Sequence, residues 1–174
     1  MSDQERSHGR VEPEAERPGI VEGYGISPDE AGLLPWSYVD ERMEGSRNYW
    51  IGTTRPDGRP HAAPVWGVWL DGALYFGTDR RSMKARNLRA NPEMVVHLES
   101  GDECVILEGV AEEVGDRSLR RRVGEVYAAK YGIDASGDAG PPIYGLRPRV
   151  AFAWTESNFP ETATRWRFGR LAHV

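Results

Sequence analysis

The 174-residue sequence predicts a mainly β protein, a closed or partly closed β-barrel carrying a few short α-helices. Three observations lead there. Roughly seven stretches alternate with a period of two, as half-buried strands do. Asp57-Gly58 sits between two of them, a strong signal for a tight hairpin. The helical patterns are few and short, so the strands have little to cover them, and a sheet that curls on itself removes its exposed edges.

Taken in order, residues 1 to about 30 are rich in Glu, Arg, Pro and Gly and offer little to bury. They are expected as a flexible tail ahead of one domain over 31–174. "LLPWSYVDERMEGS" sets Trp36, Val39 and Met43 at helical spacing behind Pro35, giving a short helix that ends at Gly45. The period then becomes two: "NYWIGTT", "HAAPVWGVW" and "LYFGT", joined by "RPDGRP" and "LDGA", read as a three-stranded antiparallel meander. A cationic helix over about 80–91 follows and stops before Pro92. "EMVVHLES" and "CVILEGVAEEV" are strands, and "DRSLRRRVGEVYAAKYG" is an amphipathic helix closed by Gly132. "IDASGDAGPPIYGLRP" reads as a loop, and "RVAFAWTE" and "TRWRFGRLA" as the last two strands.

Both alternating sets of "HAAPVWGVW" are apolar, so something covers the outer side of that strand, either a partner subunit or a flat ligand. Pro64 has no N–H for a ladder, so the strand is an edge or is interrupted there. Ala62 and Ala63 are small enough to let a planar ring lie against the backbone.

The net charge of -5 and sequence pI of 5.5 argue against nucleic acid as a partner, since that function leaves a basic face. Cys104 is the single cysteine, so no intrachain disulfide can form. No apolar run is long enough to cross a bilayer and the first twenty residues lack a signal-peptide core, which points away from a membrane and to the cytoplasm.

Against that acidic background, Arg80, Arg81, Lys84, Arg86 and Arg89 crowd into "DRRSMKARNLR". Asp79 or Ser82 caps the helix, and Arg80 and Lys84, four apart, share a face near its N-terminus. Positive charge is misplaced at that end of a helix dipole unless an anion joins it. Free N–H groups with two cations make a phosphate site; the alternative is a solvated basic helix attracted to the acidic tail. His8, His61, His97 and His173 show no metal-ligand spacing, and no metal site is expected. His61 opens the strand beside the expected ligand. There is no nucleophile elbow, P-loop or dinucleotide fingerprint.

The order of elements and their residues resemble the pyridoxamine 5′-phosphate oxidase-like split-barrel family, which binds FMN or the deazaflavin F420. The likeness covers roughly residues 33–172 and is most specific in "YFGTDRRSMKARNLRANP", where the family has a strand, Thr or Ser, Ser-x-Lys-Ala and Asn-Pro. "GTTRPDGRPHAAPVWGVW" and "WRFGRLA" support it. The resemblance implies a homodimeric split β-barrel of the FMN-binding type. It implies that Ser82 and Lys84 hold the cofactor phosphate with Thr78 nearby, and that the backbone of "HAAPVW" runs along the ring, with Ala62, Ala63 and Val65 as contacts. Trp154 and, after a one-residue shift, Arg165 match residues that reach the cofactor from the partner subunit. The implied cofactor-binding set is completed by His61, Pro64, Gly77, Arg81, Met83 and Asn87.

Two departures matter. Met83 stands where the oxidase proper has Arg, a loss for which Arg80 or Arg81 is expected to compensate. "SNFPETATR" lacks the Arg-x-His pair with which the oxidase holds its substrate phosphate, which points away from vitamin B6 oxidation. The expected function is an FMN-dependent, alternatively F420-dependent, oxidoreductase that transfers hydride to or from a small organic substrate. The competing function is a non-catalytic carrier of flavin, haem or another planar ligand.

Overall fold

Strand periodicity sends Tyr49, Ile51 and Thr53 to one side of the first hairpin, and all three are buried, with Tyr49 and Ile51 at 0% exposure. The computed structural model describes residues 13–133 and 140–169. In chain order these form β1 (Glu14–Glu16), α1 (Trp36–Gly45), β2 (Asn48–Thr54), β3 (Pro60–Trp66), β4 (Val68–Leu70), β5 (Ala73–Gly77), α2 (Met83–Ala90), β6 (Glu93–His97), β7 (Glu103–Glu113), α3 (Arg117–Tyr131), β8 (Ile143–Thr155), a 3-10 turn (Glu156–Asn158), α4 (Phe159–Thr162) and β9 (Thr164–Arg167).

All strands join one nine-stranded sheet in the order β1-β9-β8-β7-β6-β2-β3, with β5 bridging β4 to β8. Every pairing is antiparallel. β8 is the strand where the sheet divides. One of its edges pairs with β7 along its length. The other edge is shared, residues 143–146 pairing with β5 and 150–153 with β9. Between the two sections Pro148 lies opposite Gly109, at a register shift in β7. A Cβ on Gly109 would stand 2.4 Å from the Arg147 carbonyl oxygen, so only glycine permits that approach.

The curled sheet encloses Met43, Ile51, Phe76, Leu107, Leu146 and Trp166. α1 seals one end: Trp36 meets the rings of Trp166 and Phe168 edge-on at 5.4 and 5.0 Å, and Val39 and Met43 face the same core. A smaller cluster under α3 joins Val68, Tyr75 and Val123.

Four expectations need correction. "HAAPVWGVW" is two strands, not one, and the three-stranded meander is broken: β3 pairs with β2, and β4 with β5. The break falls at Gly67, whose backbone is engaged by a side chain: Tyr131 Oη accepts its N–H at 3.0 Å and lies 2.8 Å from its carbonyl oxygen. The stretch read as a loop before Arg149 instead starts β8 at Ile143, because Ile143, Tyr144 and Leu146 are buried against β5 and β7; residues 134–139 lie outside the described residues. The cationic helix starts at Met83 rather than 80. The last strand ends at Arg167, although the Phe168 N–H still donates to Arg149 O at 2.9 Å; residues 170–174 lie outside the described residues.

Within the segment expected as a tail, residues 1–12 lie outside the described residues. Glu14–Glu16 pairs with β9. Arg17 then donates to the carbonyls of Asp29, Ala31, Glu161 and Ala163, tying this stretch to the body.

Candidate functional site

β5 ends at Gly77 and hands the chain to a turn built from short polar side chains. Thr78 is buried and its N–H donates to Pro142 O at 3.2 Å. Asp79 Oδ1 accepts from the Arg81 N–H at 2.7 Å. Ser82 is the N-cap of α2: its Oγ accepts from the Ala85 N–H at 3.2 Å and lies 3.0 Å from Thr78 Oγ1. Capping by Ser82 rather than Asp79 fixes which cations belong to the helix.

Arg80 and Arg81 therefore precede α2, and Arg80 does not share a helical face with Lys84. Arg80 forks onto Glu113 through two contacts of 2.9 and 2.5 Å. Arg81 reaches back to Asp79 at 3.2 Å and is otherwise in solvent. Arg89 donates to the Arg80 carbonyl at 3.3 Å, and Arg86 approaches the Met83 sulfur at 3.9 Å. Lys84 is half-buried in the first turn, beside the positive end of the helix dipole, and among the described residues it makes no hydrogen bond or ion pair. The acidic partners of Arg80 and Arg81 account for part of the crowded charge; among the described residues Lys84, Arg86 and Arg89 are left without an acidic partner, and of these Lys84 alone is half-buried, the other two being exposed.

α2 lies against the hairpin end of β2. Asn87, fully buried, donates from Nδ2 to Thr53 Oγ1 at 2.9 Å, while its Oδ1 is buried without a partner among the described residues. Thr53 Oγ1 in turn lies 3.3 Å from His61 Nδ1. Partial burial, then the charges of Arg55 and Lys84, push the His61 imidazole below its usual value. Arg55 and Lys84 thus both act on one ring, from the hairpin turn and from the helix. Thr53 and Arg55 were not legible as site residues; the signal available was Thr53's place directly opposite His61 in the hairpin.

The edge of β3 adjoins this corner. The Arg55 N–H donates to Arg59 O at 2.9 Å. Alternation from that pair turns the backbone groups of Pro60, Ala62, Pro64 and Trp66 away from β2. Pro64 thus removes no ladder bond, as an edge position allows. Among the described residues nothing else pairs with β3, so the Ala62 N–H faces an open edge. The side chains of Ala62, Pro64 and Trp66 are exposed on the sheet's outer face, while Val65 points into the core and His61 and Ala63 are half-buried. Beside them Trp50 stacks on His97 at 6.4 Å, and Gly52 lies across from Ala62 and Val95. Ala62, Pro64, Trp66 and Trp50 make this part of the outer face largely apolar.

His61, Ala62, Ala63, Pro64, Gly77, Thr78, Ser82, Met83, Lys84 and Asn87 thus collect around the β3 edge and the start of α2, with Arg81 at the rim. Trp154 and Arg165 do not join them. Gly77 pairs with Ile143 at the start of β8, whereas Trp154 lies near its other end, opposite Cys104 of β7. Trp154 packs edge-on against Phe159 at 5.5 Å. Arg165 is held by Glu16, whose Oε1 accepts from Arg165 Nε at 2.8 Å and Arg167 Nε at 2.7 Å.

Among the described residues no three His, Cys, Asp or Glu converge to hold a metal, and no helix is long and apolar enough to cross a membrane. Cys104 is buried, and its thiol is pushed up to about 11 by desolvation.

A family sequence profile described as "Pyridoxamine 5'-phosphate oxidase" matches residues 38–156. No curated protein matches the chain. Among solved structures, a conserved hypothetical protein from Mycobacterium tuberculosis is 27% identical with a TM-score of 0.63, over 71% of this chain and 86% of its own. A structure described as an F420 reductase is 22% identical, TM-score 0.53, over 64% and 94%. The haem storage protein HutZ from Vibrio cholerae is 18% identical, TM-score 0.56, over 64% and 88%. The last two show a shared fold.

Proposed function

The chain belongs to the pyridoxamine 5'-phosphate oxidase family, and on that footing we propose that it is an FMN-dependent oxidoreductase, with F420 as the alternative cofactor, acting on a small organic substrate. The observation that carries this reading is Lys84: a half-buried cation without an anionic partner among the described residues, in the first turn of a helix capped by Ser82 and adjoining an open strand edge. A phosphate group there meets the ammonium, the Ser82 hydroxyl and the free N–H groups of the first turn. The Ala62 N–H and the carbonyls of Pro60 and Ala62 offer the alternating donors and acceptors that the polar rim of a flavin-like ring needs. The small Ala62 and Ala63 side chains leave room for such a ring. The residues present fit the group.

When bound, the cofactor supplies hydride transfer at its ring; the chain binds, orients and shields it. Within one chain Trp154 in β8 and Arg165 in β9 stand apart from this pocket, packed against Phe159 and held by Glu16. Their role at the cofactor belongs to a second copy, seated on the apolar outer face around Ala62, Pro64 and Trp50, and the working unit is a homodimer. "SNFPETATR" folds into a 3-10 turn and α4, with Phe159 against Trp154, and offers no cationic pair for a substrate phosphate. The substrate is accordingly something other than a phosphorylated B6 vitamer. We place the protein in the cytoplasm.

A second reading, a carrier of a planar ligand, is favoured by the match to a haem storage protein. Reduction of the bound cofactor by a nicotinamide donor, followed by reoxidation with a quinone or other small acceptor, separates the two. Turnover with an acceptor supports the oxidoreductase; stoichiometric binding of FMN, F420 or haem with no turnover supports the carrier.

A further inference from the structure

The Asn87–Thr53–His61 chain has a direction. Asn87 Nδ2 can only donate, so the bond of 2.9 Å uses a lone pair of Thr53 Oγ1 and leaves the hydroxyl hydrogen free to point onward. Two acceptors lie within its reach, His61 Nδ1 at 3.3 Å and the His61 carbonyl oxygen at 3.5 Å; with the nearer one, Nδ1, taking the hydrogen, the chain runs on to the ring. The proton of the neutral ring then sits on Nε2, which has no protein partner among the described residues. The charged groups that act on the ring are Arg55 from the hairpin turn and Lys84 from α2, both positive. The nearest hairpin carboxylate, Asp57, is committed to Arg59 at 2.7 Å. Burial first, then these two cations, with no anion beside the ring among the described residues, disfavour the imidazolium.

We propose that His61 is a binding residue of the phosphate pocket that takes up a proton when a phosphorylated ligand arrives. This inference rests on the reading of the pocket as a cofactor-phosphate site. The neutral ring offers one Nε2–H to the anion. A phosphate there offsets the charges of Arg55 and Lys84 and sets its own negative charge against the remaining cost of burial, so that the imidazolium is favoured. The Thr53 hydroxyl then turns to accept from Nδ1–H, which it can do because its rotor is free. The ligand is thereby required to be anionic, and its affinity is tied to pH. Since the bound state holds more protons, affinity is greatest below the free-state value of His61 and falls, by up to about tenfold per pH unit, as pH rises from the free to the bound value.

The test uses the whole chain and FMN. Calorimetric titration at pH 7 in two buffers of different ionisation enthalpy reads the protons exchanged. The ligand's own phosphate, with a second ionisation near pH 6, can only release protons into a cationic pocket, so uptake has the opposite sign. Proton NMR of the imidazoles, with His61 assigned by its absence in His61→Gln, reads the ring directly. The inference predicts net uptake in the wild type, little or none in His61→Gln, and a His61 titration that moves up by about one unit or more on saturation. FMN binding with no uptake and an unmoved His61 overturns this inference and leaves the cofactor reading standing. Failure of FMN, F420 and inorganic phosphate all to bind overturns the cofactor reading, and this inference with it.

Discussion

Ser82 Oγ lies 3.0 Å from Thr78 Oγ1 while accepting the Ala85 N–H, so one hydroxyl both caps α2 and links the helix to the end of β5. Fold and proposed site share that atom. Ser82→Ala is expected to lower stability by about 1 kcal/mol, the usual cost of a lost N-cap. The same change should also weaken FMN binding. Thermal unfolding with and without FMN separates the two effects: a purely structural Ser82 lowers both transitions equally, whereas a phosphate ligand also shrinks the shift that FMN produces.

Glu16 ties β1 to β9 through Arg167 and Arg165, and these partners hold its carboxyl below the usual carboxylate value, Arg167 most strongly. A depressed folded value means that the stabilisation is present above the unfolded value of about 4.5 and is lost as pH falls through the folded one. Glu16→Gln should therefore be less stable than the wild type at pH 7, with the gap closing below about pH 4. A gap independent of pH would mean that the carboxylate contributes through packing alone.

Tyr131 carries the backbone of Gly67 where β3 and β4 part. Its hydroxyl accepts the Gly67 N–H and lies within reach of the carbonyls of Gly67 and Arg47 at 2.8 and 2.7 Å. Tyr131→Phe takes this partner from the Gly67 N–H and the Arg47 carbonyl, while the Gly67 carbonyl keeps Lys130 Nζ at 3.2 Å, and is expected to cost about 1–3 kcal/mol in chemical denaturation. Loss near zero would mean that water replaces the hydroxyl freely.

The mainly β architecture, the first hairpin and the edge character at Pro64 were legible because alternation and turn residues are local signals. So was the turn at Thr78 and Ser82, where spacing alone proposed two caps and packing chose one. The break at Gly67 was not legible, since its cause is Tyr131, sixty-four residues away. Nor was the early start of β8: the Pro and Gly around it read as loop, yet Pro148 stands at a register shift where no ladder bond is required. The cation cluster misled in one respect. Sequence counts charges, but Glu113 and Asp79 neutralise two of them, and only the fold brings Glu113 to Arg80.

Lys84 gives the most direct test. Apo-protein and Lys84→Ala are titrated side by side with FMN and with F420, and the affinity is read from cofactor fluorescence. The account predicts binding by the wild type and a loss of roughly 10- to 150-fold in the variant, equivalent to ~1.5–3 kcal/mol for a bond to a charged group. Equal affinity in the two proteins would contradict it.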